Sequence, residues 1–396
     1  MSRLRRIFLE PFSPYVAAVL LALGSALFAL ALGGKLWGIT TGESQLGGHF
    51  VEALGWQVDE LPYFQKFSLP PILTSGPQVH VFGLLLGGLL AALLLGEFAI
   101  RAVPGRRQFV AAVVGGILLG YGSRLAAGCN IGNFWSAFPS AGVNAVTFFA
   151  GVLLGAFLTV RTVVERGLLL SPPWRLSVTF LPRRQRILGV VVLAFLIVLT
   201  LVAQPSLVVG AWLWFGVFAA YVGYRSRLCF ASAYRDLFVR GARSGRNAAA
   251  VAFGLLLQAA IFLPLAVGGT KLDYSLAAGQ GQFQVLIGGF LFGIGAVLLG
   301  GCIFSSAYRA GAGQVTALIG WLSTVFVGMP LLSLHWDFWY NAVPRFLPRA
   351  TLWDYGPSYG LLIAGLVPAA WLLYALRVDG VLPRILSRKR RAAEGA

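Results

Sequence analysis

The sequence contains little charge and little sulfur. Only 11% of its 396 residues are charged, and it has three cysteines and two methionines. Soluble globular domains carry about 25% charged residues, so this composition excludes an ordinary soluble domain. Three cysteines cannot form a complete disulfide framework, and Cys129, Cys229 and Cys302 lie in or beside apolar segments. We therefore expect three free thiols.

Several chemical motifs are also missing. The three histidines, His49, His80 and His335, lie near predicted external ends of apolar segments and show no metal-ligand spacing, so we expect them at the membrane interface. No glycine-rich phosphate loop with its lysine is present, and no Ser/His/Asp arrangement can be justified. The sequence predicts no metal, no cofactor and no ATP hydrolysis.

Long apolar segments are abundant. Hydrophobic residues make up 58% of the chain and the mean hydropathy is +0.80. A membrane-spanning helix needs about 20 apolar residues, and ten segments meet this need: 15–37, 79–100, 108–128, 142–160, 187–204, 207–224, 247–267, 283–301, 314–334 and 357–376. We predict an all-α integral membrane protein of about ten long helices, forming a single transmembrane domain over residues 1–396.

The basic residues predict the orientation. The net charge of +18 would suggest a nucleic acid partner in a soluble protein, but its distribution fits a membrane protein. With a cytoplasmic amino terminus, 25 of the 31 Lys and Arg residues fall in cytoplasmic segments, as the positive-inside rule requires. Both termini are then cytoplasmic, with a cytoplasmic loop at 161–186, a basic tail at 377–396 and an external loop at 38–78.

The external loop has an amphipathic pattern. Leu46, Phe50, Leu54 and Trp56 are spaced as on one face of a helix. This spacing is typical of a helix lying on the membrane surface, and a solvated connector is the alternative.

An internal repeat ends in two of the cysteines. Residues 115–129 read GGILLGYGSRLAAGC and residues 288–302 read GGFLFGIGAVLLGGC, with five glycines and the cysteine matching at one fixed offset. The predicted topology runs the two copies in opposite directions, which makes an inverted repeat with halves at about 79–160 and 247–334. In transporters such repeats place the substrate site near the membrane midplane. The third cysteine shares the SRL triplet with the first copy and the SAYR sequence with the second.

About ten residues after each cysteine are too short and too polar to span a membrane. They read NIGNFWSAFPSAG, FASAYRDLFVRG and IFSSAYRAGAG. Backbone at membrane depth must be satisfied internally or line a protein-walled cavity. We therefore predict short re-entrant or broken helices here, with an ordinary surface loop as the alternative.

The start of such a half-helix suits a small anion, because unpaired N–H groups and the positive end of the helix dipole meet there. A thiol is soft and makes a good neighbour for sulfur or selenium. Arg124, inside a spanning segment, can add positive potential near Cys129. The supporting residues that we select are Gly128, Asn130, Ser136, Ser232, Gly301, Ser305 and Ser306. Two alternatives stay open: the cysteines are plain buried residues, and Arg124 is paired with a carboxylate or with helix carbonyls.

The stretches SRLAAGCNIG, RSRLCFASAYRDLF and GGFLFGIGAVLLGGC resemble the three cysteine motifs of the YeeE/YedE family of bacterial inner-membrane proteins. ITTGESQLGGHFVEALGW and AYRAGAGQ bring the chain closest to the longer YedE branch, described as selenium or sulfur transporters. The resemblance implies an hourglass-shaped helical protein that takes up a small sulfur anion, thiosulfate in the best understood relatives. It also implies that Cys129, Cys229 and Cys302 touch the substrate in turn, and that a TusA-like sulfur carrier is the cytosolic partner. The chain departs from the family pattern after Cys302, where no glycine follows within three residues.

Three functions follow from these observations. The leading hypothesis is a transporter or facilitator for a soft sulfur- or selenium-containing anion, with the cysteines as stepping points. The second is a membrane sulfurtransferase in which Cys229, beside Arg225 and Arg227, forms a persulfide. The third is a membrane anchor for a sulfur-carrier complex, and the inverted repeat argues against it.

Overall fold

A computed structural model describes residues 10–101, 105–170, 177–203, 206–241, 244–268, 282–343 and 351–381. Three sequence predictions lie wholly or partly outside these residues: the N-terminal arginines before residue 10, part of the 161–186 loop, and the basic tail beyond residue 381. Among the described residues, ten helices are long and apolar enough to cross a membrane. This number and their positions confirm the prediction of an all-α membrane protein.

We number the helices along the chain. The long helices are α1 Pro14–Ala31, α4 Gly76–Leu95, α5 Arg106–Leu125, α7 Val143–Val164, α8 Pro182–Ala203, α9 Leu207–Ser226, α11 Arg246–Val267, α12 Gln282–Leu299, α14 Val315–Leu334 and α15 Pro357–Val378. The short ones are α2 Thr40–Ala53, α3 Pro62–Lys66, α6 Asn130–Ser136, α10 Phe230–Arg235 and α13 Ile303–Gly311. Parts of α7, α14 and α15 are π-helical, as is all of α6. Two three-residue strands, Ala99–Arg101 and Ser177–Thr179, pair antiparallel.

Helix α12 packs along α5 and α7 at the centre of the protein. Its contact with α5 is made by glycines: a Cβ on Gly115 would lie 2.9 Å from the Gly295 oxygen, and a Cβ on Gly122 would lie 2.6 Å from the Gly288 oxygen. The absence of side chains lets the two backbones approach this closely. The repeat relates Gly115 to Gly288 and Gly122 to Gly295. Applied to the contact of Gly115 with Gly295, it therefore gives the contact of Gly288 with Gly122. Reciprocal contacts of this kind are what an inverted repeat predicts.

Helix α8 lies at the periphery, where it packs mainly on α4. Its outward face is apolar and exposed, with Phe195 at 62% and Val202 at 77% of the full side-chain exposure. A continuous apolar face of this kind is typical of a helix that faces lipid.

Helix α2 forms in the segment predicted as an external loop, but its first half is buried. A Cβ on Gly42 would lie 2.0 Å from the Pro77 oxygen, and one on Gly47 would lie 2.4 Å from the Val325 oxygen. Only the second half resembles the expected surface helix, with Leu54 63% exposed. Glycines at the packed face explain the difference, since they let α2 dock against α4 and α14.

His80 is buried among protein groups, which the interfacial position expected from the sequence did not predict. It is fully buried, its Nε2 accepts a hydrogen bond from Trp37 Nε1 (2.9 Å), and its Nδ1 lies 3.0 Å from the Trp212 oxygen. The first contact requires a lone pair on Nε2, so Nδ1 carries the proton and donates to the carbonyl. Two neutral partners make the burial of a neutral imidazole possible.

Candidate functional site: three cysteine turns

The three cysteines occupy the same position in three helix breaks with the same backbone. In each, the residue two places before the cysteine is left-handed: Ala127 (φ 54°), Arg227 (φ 55°) and Gly300 (φ 71°). The next amide donates to a carbonyl five residues back, as in Gly128 N to Ser123 O (2.7 Å). Leu228 N to Gly223 O (3.1 Å) and Gly301 N to Ala296 O (3.0 Å) repeat this bond. The pattern is the Schellman motif that ends helices.

Each cysteine then takes an extended conformation and begins a new short helix. Cys129, Cys229 and Cys302 are the N-cap residues of α6, α10 and α13. The broken helices predicted after the cysteines are therefore confirmed. Glycine suits the left-handed position best, so Ala127 and Arg227 hold strained conformations that cost about 1 kcal/mol each.

The glycines before two of the cysteines leave room for capping side chains. A Cβ on Gly128 would lie 3.0 Å from the Asn133 side chain, which donates to the Ala126 oxygen at 2.7 Å. A Cβ on Gly301 would lie 2.8 Å from Ser305 Oγ. Both glycines thus shape the turns, although neither was selected from the sequence for that reason. Asn133 was not selected at all.

Cys229 and Cys302 meet at Ser305. Cys229 Sγ donates to Ser305 Oγ (3.2 Å), and the same hydroxyl accepts from the Cys302 amide (2.9 Å). Helix α13 joins the two turns further, since Tyr308 donates to Leu228 O (2.8 Å) and Arg309 Nη1 donates to Gly300 O (2.9 Å). Two of the cysteines, which are 73 residues apart in sequence, therefore form one cluster.

A cavity of about 620 Å³ opens onto Cys229. We call it the arginine cavity, because four arginines line it: Arg101, Arg227, Arg235 and Arg309. Arg235 pairs with Asp236 (2.7 Å), whereas Arg309 Nε donates to the neutral Gln314 (2.7 Å). Burial raises the pKa of the Asp236 carboxyl and the Arg235 guanidinium opposes the shift. Glu97 also lines the cavity, so four arginines face two carboxyl groups. The cavity keeps an excess of positive charge, which attracts anions.

Ser232 and Arg225, two residues singled out near Cys229 in the sequence, have different surroundings. Ser232 lines the arginine cavity, donates to Cys229 O (2.7 Å) and accepts from Asn247 (2.7 Å). Arg225 is buried away from the cavity, where it stacks over Phe12 at 4.0 Å and donates to Glu10 O. Of the two arginines expected beside Cys229, only Arg227 lines its cavity.

Cys129 is buried next to a second charged cluster, which we call the outer cluster: Thr40, Glu43, Tyr63, Arg124 and Trp321. Arg124 is 6% exposed, donates to Tyr63 OH (2.6 Å) and to Thr40 Oγ1 (3.3 Å), and lies 4.8 Å from the Tyr63 ring. Its Nε has no hydrogen-bond partner among the described residues. Arg124 thus has neutral oxygen partners rather than the paired carboxylate or helix carbonyls of the sequence alternative.

Free volume lies beside Cys129. Gly132 is buried in the first turn of α6, yet in the part of the chain that the structure describes a Cβ built on it would meet no heavy atom within 4 Å beyond its own helix turn. Ile131 N donates to Cys129 Sγ (3.4 Å) on the same turn. The free space and the sulfur therefore belong to the same helix turn.

Asn130 and Tyr234 connect the Cys129 turn with the other two. Asn130 Nδ2 donates to Tyr234 OH (3.3 Å), and Tyr234 couples electrostatically to both Cys302 and Cys229. All three cysteines contact the same continuous core. Of the other predicted residues, Ser136 donates to Trp37 O (2.7 Å), and Ser306 Oγ has no partner among the described residues.

Sequence reasoning missed Glu43 of the outer cluster. It is fully buried, and its Oε1 accepts from Trp321 Nε1 (2.8 Å). Its position in a predicted loop suggested a solvated residue. The glycines at positions 42, 47 and 48 were an available signal, because closely spaced small residues favour tight helix packing.

Comparison with known proteins adds independent information. A family model described as sulphur transport matches residues 1–158 and 225–392, which include all three cysteine turns. The chain is 30% identical to the probable transporter YedE of Salmonella typhimurium over 387 residues, 91% of this chain and 90% of that protein. It is 29% identical to the YedE protein of Escherichia coli over 391 residues, 92% of this chain and 91% of that protein. The thiosulfate transporter TsuA of Spirochaeta thermophila is 33% identical over 142 residues, 34% of this chain and 41% of that protein.

Proposed function

Since the chain belongs to the sulphur transport family, as its cysteine motifs predicted, we propose that it carries a small sulfur-containing anion of the thiosulfate type across the bacterial inner membrane. The anion passes Cys129, Cys302 and Cys229 in that order. Selenium-containing anions of similar shape and charge belong to the same substrate class, because selenium is also soft and polarizable.

The observation that carries this proposal is the common backbone of the three turns. A single helix break places one sulfur at the start of a short helix, and the chain makes this break three times within one core. Arginines are present at both ends of the series: Arg124 lies in the outer cluster with Glu43, which couples to Cys129, and the arginine cavity opens onto Cys229. A plain packing role for the cysteines would not require the same left-handed turn at each.

The side chains around the three cysteines favour passage of an anion over tight binding. Between the two arginine groups the polar neighbours are neutral, such as Asn130, Tyr234 and Ser305. A neutral donor gives a weaker hydrogen bond to an anion than a charged one. An anion is thus attracted at each end and held loosely between them, as conduction requires.

The basic residues support an orientation with both termini and the arginine cavity in the cytoplasm. The outer cluster then faces the periplasm, and the proposed inverted repeat places the cysteine series near the midplane. In this orientation the arginine cavity is the exit, and the TusA-like carrier implied by the family resemblance is the partner that would meet the anion there.

The test is uptake of labelled thiosulfate into liposomes containing the purified protein, with each cysteine replaced by serine. Serine is a favoured N-cap residue, worth about 1 kcal/mol over alanine. Each serine variant should therefore keep its turn and unfold at no lower temperature than the original. We expect Cys129→Ser and Cys302→Ser to lose uptake, because the hydroxyl donates a hydrogen bond but is not soft.

Alanine at the same positions provides the matched control, since it removes the sulfur at all three and the side-chain cap at Cys129 and Cys302. Thermal melting of each variant separates folding from transport. Excess unlabelled selenite or sulfite in the same assay reports which soft anions compete. Uptake that is unchanged in all three serine variants, for every anion tried, would contradict the proposed route.

Cys229 also supports a second candidate, a sulfur-transfer step. It is the partly exposed cysteine and lies in a positive cavity, which favours a reactive thiolate. Its thiolate would attack the outer sulfur of thiosulfate, forming a Cys229 persulfide and releasing sulfite as the sulfur–sulfur bond breaks. Mass spectrometry after exposure to thiosulfate would show one added sulfur on Cys229. An unmodified thiol in protein that transports thiosulfate would exclude this step.

A further inference from the structure

Glu43 is a buried carboxyl that the proposed route does not yet explain. It lies in the first turn of α2, where Oε1 accepts from Trp321 Nε1 and Oε2 has no hydrogen-bond partner among the described residues. A buried carboxylate normally has a partner for each oxygen, and Glu43 Oε2 lacks one among the described residues.

The packing of α2 keeps the carboxyl in place. Gly42 and Gly47 bring the helix into backbone contact with Pro77 and Val325, and Ser44 Oγ lies 3.5 Å from Met329 Sδ. The first turn of α2 therefore cannot rotate to expose Glu43 without separating helices. Any change in its charge takes place inside the protein.

Two ionisable groups couple electrostatically to this carboxyl, Arg124 and Cys129. The elements packed against α2 are α4, the second half of α14 and the turn Val58–Glu60, and their titratable side chains are His80, Asp59 and Glu60. His80 is engaged by Trp37 and Trp212. Asp59 and Glu60 line a separate cavity together with His49 and Glu52 of α2.

We propose that Glu43 is the proton-binding residue of the outer site, and that the anion and one proton enter together. This inference depends on the proposed function, because it requires an anion that enters the route at the outer cluster and Cys129. An ionised Glu43 would neutralise Arg124 and repel an anion beside Cys129. A protonated Glu43 leaves Arg124 free to attract the anion.

Linkage makes the effect reciprocal: a bound anion favours the proton on Glu43, and the proton favours the anion. Burial raises the pKa of Glu43 to about 8, with the Trp321 hydrogen bond and the Arg124 charge opposing the shift. The carboxyl therefore holds its proton at neutral pH and loses it as the pH rises through 8. Anion binding should weaken over the same range.

The test is calorimetric titration of the purified protein with thiosulfate at pH 7 and pH 9, in two buffers of different ionisation enthalpy. One proton lost with a pKa of about 8 predicts about tenfold weaker binding at pH 9 than at pH 7. At pH 9 the buffer comparison should show uptake of about one proton per anion bound.

Glu43→Gln keeps an oxygen for Trp321 and cannot ionise, so we expect binding that is independent of pH and takes up no proton. Glu52→Gln is the matched control on the exposed end of the same helix, and it should behave like the original protein. Pronounced pH dependence that persists in Glu43→Gln would overturn the inference. So would the absence of proton uptake by the unaltered protein at pH 9, a result that requires no variant to fold.

The two proposals fail in different ways. A protein that binds and transports thiosulfate without taking up a proton refutes the role of Glu43 alone. A protein that binds no sulfur anion at either pH refutes the proposed function itself.

Discussion

The space beside Gly132 gives a direct test of the outer part of the route. Gly132 is buried one turn from Cys129, and a Cβ at its position would meet no heavy atom of the described residues within 4 Å beyond its own helix turn. If an anion passes here, a larger side chain should block it without disturbing the fold. Gly132→Ala and Gly132→Leu form a graded series.

The structure separates the effects on stability and on transport. A Cβ at residue 132 meets no clash, and replacing a helical glycine with alanine gains roughly 0.5–1 kcal/mol, so Gly132→Ala should be at least as stable as the original. The same change at Gly122 puts a Cβ 2.6 Å from the Gly288 oxygen, and overpacking of this kind costs about 1–3 kcal/mol. The two alanine variants should therefore shift the melting temperature in opposite directions.

Transport should follow the volume added at residue 132. We expect reduced thiosulfate uptake in Gly132→Ala and none above background in Gly132→Leu, while gel filtration and thermal melting show that both are folded. Uptake by a folded Gly132→Leu protein at the original rate would show that the anion does not pass this space.

Two further predictions concern the helices that hold the turns. Arg309→Met removes the cap on Gly300 O and the bond to Gln314, so we expect the free energy of unfolding to fall by about 1–3 kcal/mol and thiosulfate uptake to fall with it. Thermal melting of Arg309→Lys should show that lysine partly restores the stability. If both variants were as stable as the original protein, Arg309 would not be a cap. Gly122→Ala and Gly295→Ala place a Cβ 2.6 and 2.5 Å from a carbonyl oxygen of the other helix. Because the inverted repeat relates these two glycines, it predicts equal losses of stability in the two variants. Clearly unequal shifts of the melting temperature would argue against the repeat.

Much of the fold could be predicted because lipid restricts the choice of structure. Backbone groups in hydrocarbon must be satisfied within a helix, so length and hydropathy alone located the ten long helices. The breaks at the cysteines were also predictable, since the segments of about ten residues that follow them are too short and too polar to span a membrane. Gly115 and Gly122 matched their repeat partners in the sequence and lie where α5 and α12 pack closely.

The burial of the polar residues was not predictable in the same way, because it depends on contacts between distant segments. Glu43 is buried by α2 docking against residues 77 and 325, and His80 is buried by partners at positions 37 and 212. Nor does sequence reveal the shared turn, since its left-handed residue is an alanine, an arginine and a glycine in the three copies. The three turns therefore share one backbone conformation, although the residue types at the left-handed position differ.

The same three residues indicate how one turn serves three positions along the proposed route. Gly300 holds its left-handed conformation without strain, and the buried Cys302 turn needs no side chain there. At residue 227 the chain accepts the strain and gains an arginine that lines the cavity beside Cys229. Strain that is kept where a small residue would relieve it indicates that the side chain has a role. Arg227→Gly should therefore stabilise the protein and weaken anion attraction at the exit, and the two effects are measurable by melting and by the salt dependence of uptake.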